Sequence, residues 1–134
     1  MRKIVALVLG ICMVLSLCAC GNKGQKEYEK VEAALQGVYS HSWYASFIQK
    51  NCYVGYKFDS GVFEYVSNSA LLAQGVGVYI ISTEDKTITC KYGQYADDLG
   101  RTSIEDDVFT YEFNDTGELV LKKTGGSDPY TKEK

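Results

Sequence analysis

Histidine, proline and tryptophan each occur once among 134 residues, and methionine twice. The single histidine, His41, narrows the catalytic options. A Ser–His nucleophile pair needs both side chains on one side, but His41 and Ser42 are consecutive in an extended segment and face opposite ways. One histidine and two distant cysteines, Cys52 and Cys90, do not make a zinc set. The acidic group Asp97, Asp98, Glu105, Asp106 and Asp107 has oxygens for calcium but lacks EF-hand spacing, and it reads as a solvated loop. Gly75 and Gly77 flank a strand-like run rather than opening a helix, so no phosphate-binding loop is present. No metal, no cofactor and no enzymatic activity is implied. Basic residues are outnumbered, 14 against 17. That balance excludes the basic patch of a nucleic-acid surface and a polybasic contact with anionic lipid.

Long apolar runs are also missing. The longest, Ile4 to Leu17, has 14 residues, short of the roughly 20 that cross a bilayer. It follows Arg2 and Lys3 and leads into small residues, the pattern of an export signal. Leu17-Cys18-Ala19-Cys20 resembles the lipobox of bacterial lipoproteins, with the small Ala19 directly before Cys20. The resemblance implies a thioether-linked diacylglycerol on Cys20, acyl chains such as palmitate, and removal of residues 1–19. Cys18 leaves with the signal. Two or three acyl chains hold a protein on a bilayer far more firmly than one. It further implies an extracytoplasmic location in the cell envelope. The protein would sit on the outer side of the cytoplasmic membrane, or on the outer membrane if the cell has one, since Gly21 is not the Asp-type retention signal.

The mature chain, Cys20 to Lys134, has the length of one domain. Without Arg2 and Lys3 it carries 12 basic and 17 acidic residues, a net charge of −5. Residues 20–26 read as the lipid anchor and a polar tether. Lys26 to Gln36 reads as a short helix, with Tyr28, Val31 and Leu35 on one face and Gly37 as its C-terminal stop.

From Gly37 the apolar period becomes two. Strands are expected at Val38–Phe47, Cys52–Phe58, Val62–Val66, Val76–Ile81, Thr87–Tyr92, Val108–Phe113 and Leu119–Lys123. Short turns rich in Asx and glycine join three pairs of them as hairpins. Ser67–Gly75 and Gly93–Asp107 read as longer loops, and 124–134 as a flexible tail holding the only proline, Pro129. No proline interrupts 38–123, as a paired sheet requires. Seven or eight strands joined by short turns form an antiparallel meander, and closure into a small barrel removes its exposed edges. The domain is thus the helix plus barrel of 27–123. Tyr39 and Trp43 share one face of the first strand, with Val38 and Tyr44 on the other, which suggests that the helix covers the outer face.

Cys52 and Cys90 are the remaining candidates for a disulfide. Sequential order places them three strands apart, about 14 Å around a sheet. A bridge needs Cα atoms within about 7 Å. The alternative is two buried thiols.

The segments Leu35-Gln36-Gly37-Val38-Tyr39, Tyr56-Lys57-Phe58-Asp59-Ser60-Gly61-Val62-Phe63, Gly77-Val78-Tyr79-Ile80-Ile81 with Thr87-Ile88-Thr89, and Tyr111-Glu112-Phe113 with Gly117-Glu118-Leu119 resemble small lipocalin-like domains of bacterial lipoproteins. The Gly-x-Trp mark of lipocalins is represented by Gly37-Val38-Tyr39, with Tyr39 in the tryptophan's place. The resemblance implies a barrel whose interior can hold a small apolar ligand. Eleven tyrosines fit that interior, or else a sticky outer sheet that meets a protein in the manner of an inhibitor or immunity lipoprotein.

Overall fold

A computed structural model describes residues 22–69 and 71–134. The expected signal segment, Cys18 and Cys20 lie outside the described residues. A helix, α1 (Asn22–Leu35), precedes eight strands: β1 (Gly37–Ala45), β2 (Lys50–Asp59), β3 (Val62–Asn68), β4 (Leu72–Ser82), β5 (Thr87–Asp97), β6 (Asp107–Phe113), β7 (Leu119–Lys123) and β8 (Pro129–Lys132). They pair antiparallel in sequential order, and β8 closes on β1. The result is a mainly β, closed eight-stranded barrel, compatible with the lipocalin-like architecture.

Period-two alternation sorts each strand into an inward and an outward set. Tyr39, Tyr56, Phe58, Phe63, Ile88, Phe109 and Leu121 point inward and are almost wholly buried. Their rings interlock: Tyr56 meets Phe109 edge-on at 4.9 Å and Tyr130 at 5.7 Å between centroids. Inward glycines on β4 make room for this filling. A Cβ at Gly75 would fall 2.6 Å from the Tyr92 ring, and one at Gly77 would overlap the Lys91 backbone beside a β-bulge.

The helix closes one end. Val31 and Leu35 are fully buried in the core cluster. The Tyr39 hydroxyl donates to the Ala34 carbonyl at 2.9 Å, and the Gln36 side chain accepts from the Ser60 amide in the β2–β3 turn. Glu32 accepts from Tyr79 at 2.8 Å. Glu27 accepts from Tyr111 at 3.1 Å and pairs with Lys86. Gly37 turns the chain from helix into β1 at a φ of +123°, a conformation that glycine adopts without strain.

Several boundaries differ from expectation. The helix starts at Asn22 and takes in most of the expected tether. It sits across the barrel end rather than over β1, whose outward Tyr44 is exposed. β1 stops at Ala45, and Phe47 lies in the turn. β4 and β5 run on through Leu72–Gly75 and Gly93–Asp97, which had read as loop. The expected tail contains β8, whose Tyr130 is buried against Tyr56 and Phe109. Pro129 stands at the first position of that strand, where the missing N–H is tolerated.

Candidate functional site

The strands are of unequal reach, and this shapes the end opposite the helix. β8 pairs with β1 only at Tyr39–Lys132 and Ser40–Thr131. β5 pairs with β6 only from Thr87 to Cys90. The upper parts of β1 and β5 therefore rise past β6, β7 and β8. The wall is low on one side, and its upper rim is formed by Asp107 at the start of β6 and Lys123 at the end of β7.

Those two residues anchor a polar cluster in which Asp107 is buried and Lys123 reaches partly into solvent. Lys123 Nζ lies 2.9 Å from Asp107 Oδ1. Asp107 Oδ2 accepts from Tyr56 at 2.8 Å and also from Tyr92. Burial, chiefly, pushes both tyrosines far above the usual phenol range, with the neighbouring phenol and carboxylate adding to the effect. Both hydroxyls stay protonated and act as fixed donors. One strand over, Asp97 accepts from Tyr95 at 3.0 Å and from Arg101 Nε at 2.6 Å. Its other oxygen caps the amides of Leu99 and Arg101. Burial alone would push Asp97 up, but these bonds hold it below the usual carboxylate range. The acidic group therefore divides. Asp97 and Asp107 are drawn into the barrel wall, while Asp98, Glu105 and Asp106 remain exposed. Among the described residues, no three metal-ligating side chains converge.

His41 stacks on Trp43 at 5.2 Å and lies 3.4 Å from Asp128 of the β7–β8 loop. With Lys123, Ser127 and Tyr130 they line a shallow cleft of about 350 Å³. A larger open groove, about 510 Å³, runs over β3–β5 and is lined by outward residues such as Glu64, Val66, Gln74 and Val76. Cys52 and Cys90 are both free and buried, on β2 and β5. Burial pushes the Cys90 thiol well up, so it is a poor nucleophile.

The turns at this end carry apolar side chains into solvent. Phe47 is 81% exposed and Tyr44 61%, with Ile48 beside them in the β1–β2 turn. Leu99, in the β5–β6 loop, is 69% exposed. The sequence reading missed the Asp107–Lys123–Tyr56–Tyr92 cluster. Parity was the available signal: Asp107 is in phase with Phe109 and Tyr111, and Lys123 with Leu119 and Leu121.

No protein-family model matches the chain, and no curated protein or solved structure matches it significantly.

Proposed function

We propose that the protein is an extracytoplasmic lipoprotein, anchored by lipid on Cys20, whose barrel presents its loop end to a protein partner. The observation that carries this reading is the exposed apolar set Tyr44, Phe47, Ile48 and Leu99 at one end of the molecule. Aromatic chains held out of a rigid scaffold are the usual anchors of protein interfaces. The anchor supports the same polarity. Helix α1 begins two residues after Cys20 and is tied to the opposite end through Glu27, Lys86 and Tyr111. Lipid on Cys20 would hold the helix end toward the bilayer and aim the loop end away from it. The role is binding rather than catalysis, since the one imidazole pairs with a carboxylate and the thiols are buried.

The small-ligand reading has a narrower footing. The inward positions already hold Tyr39, Tyr56, Phe58, Phe63, Phe109 and Tyr130. An apolar ligand would have to displace one of these rings.

Two measurements test the proposal. Cys20→Ala should leave an unprocessed, lipid-free precursor; normal maturation of that variant would refute the anchor. A photo-crosslinking residue at position 47 should give a discrete protein adduct in cells. The same group at position 116, in the turn at the helix end, should give none. Equal adducts at both positions, or a co-purifying small molecule with no adduct at 47, would overturn the partner reading.

A further inference from the structure

The upper half of β1 has a neighbour on one side only. Its register with β2 is unbroken from Gly37 to Ala45. On the other side, pairing with β8 ends at Ser40, and among the described residues no strand pairs with β1 beyond it there. Alternate residues of a strand turn their backbone groups to alternate sides. The Val38 carbonyl accepts from the Glu133 amide on the β8 side, so the N–H and C=O of Ser42 and Tyr44 face that way too. The register that sets Ser40 against Thr131 would set Ser42 against Pro129, which has no N–H to give. There the cleft of about 350 Å³ opens between β1 and the β7–β8 loop, with His41 and Asp128 meeting across it at 3.4 Å.

β5 also outreaches its neighbour, since its pairing with β6 ends at Cys90. That edge carries the usual defences against stray pairing. Gly93 is a bulge, skipped between the Gly77–Tyr92 and Val76–Gln94 pairs. Asp97 puts a charge in the wall, and the next loop folds back onto it through the amides of Leu99 and Arg101. The β1 edge has none of these. Ser42-Trp43-Tyr44-Ala45 contains no charge, proline, glycine or register shift. Its free backbone groups recur every second residue, about 7 Å apart, a spacing that another extended backbone matches.

From this contrast we infer that the upper edge of β1 takes an extended segment of the partner protein as an added antiparallel strand. The inference rests on the partner reading above and states how that partner is held. The added strand continues the line of β8 past Pro129. It exchanges two hydrogen bonds with Ser42 and two with Tyr44. Its residue opposite Trp43 points inward to the cleft, where Trp43 and Tyr130 offer rings, so that residue is apolar. Phe47 and Ile48 stand at the end of the same edge.

The photo-crosslinker at position 47 reports the partner, and the edge reports how it is held. Ser42→Pro removes the free N–H and no bond to β2, and His41 before it is already extended, as a residue before proline must be. It should cut the position-47 adduct about tenfold. Ser42→Ala keeps the backbone and should leave the adduct unchanged. Deuterium exchange gives a second readout, which decides if the proline variant fails to fold. In the free purified chain the Ser42 and Tyr44 amides should exchange fast, while those of His41 and Trp43 stay protected by β2. In the purified adduct, uptake over 41–45 should fall. An adduct that survives Ser42→Pro in a folded chain, or one without added protection over 41–45, overturns the added strand and leaves the partner reading intact. No adduct at 47 in the parent chain overturns both. Ser42 and Tyr44 amides already slow in the free chain also overturn the inference. So does an adduct of twice the chain's own mass, which would give the edge to a second copy.

Discussion

The two ends of the barrel solve the same problem in opposite ways. At the helix end, apolar side chains are covered: Val31 and Leu35 fill the opening, and hydrogen bonds from Tyr39, Tyr79 and Tyr111 tie the helix down. At the loop end, the interior gives way to charge, and the apolar side chains stand outside in the turns. Each ion pair here joins a buried carboxylate to a cation that reaches into solvent, and such pairs are weak evidence for stability, since solvent screening and desolvation offset most of the attraction. The helix end is thus built for cohesion. The loop end keeps the carboxylates of Asp97 and Asp107 in the wall, where apolar packing would serve cohesion as well, and it leaves Phe47 and Leu99 uncovered.

The strongest break in that contrast is Leu35→Ala. A wholly buried leucine in the plug should cost about 2–5 kcal/mol, measured by chemical denaturation. A cost below about 1 kcal/mol would mean that the helix does not seal the barrel. Asp107→Ala comes next. It strands the buried Tyr56 hydroxyl, at about 1–3 kcal/mol, and the half-buried Tyr92 hydroxyl, which water can partly satisfy. The sharper version replaces the whole cluster with Asp107→Leu, Lys123→Met, Tyr56→Phe and Tyr92→Phe. That variant should be no less stable than the parent chain; a large loss would show that the charges serve cohesion after all.

Alkaline pH separates the ends more gently. Burial pushes Tyr39, Tyr111 and Tyr130 up to about 12, and Tyr56 and Tyr92 still higher. Unfolded tyrosine ionises near pH 10. Between about pH 10 and 12 the folded chain therefore holds more protons than the unfolded one, and stability falls as pH rises. Below pH 10 these groups contribute no pH dependence. Absorbance titration should show Tyr39 and Tyr111, at the helix end, ionising before Tyr56 and Tyr92; the reverse order would contradict the buried cluster. The smallest effect is expected from Phe47→Ser, within about 0.5 kcal/mol of the parent, because the ring touches solvent. A larger loss would mean that the turn packs on the barrel.

Much of the barrel was legible in the sequence because period-two alternation, Asx-Gly turns and the absence of proline all point one way. The strand ends were not. Gln74, Gly75, Gly93 and Gln94 have poor strand propensity, yet they continue β4 and β5 because neighbouring strands supply the hydrogen bonds. β8 was hidden by its polarity and its proline; only Tyr130 carries its core contact. The acidic group misled for a related reason. Composition treats five carboxylates alike, whereas strand parity turns Asp97 and Asp107 inward and leaves the others in water. The cysteines' separation of three strands was readable from chain order alone, and both thiols are free in the barrel.

The seam between β1 and β8 joins the first strand to the last through two residue pairs, with one more bond from the Glu133 amide to the Val38 carbonyl. Closure therefore cannot begin until β8 has been synthesised and has left the ribosome. Contacts so distant along the chain make for slow folding. Until they form, β1 has an open edge that invites wrong pairing. Any bulk attached just after Glu133 would sit directly against that seam, so a tag placed on this side of the chain also loads the joint on which the barrel shuts.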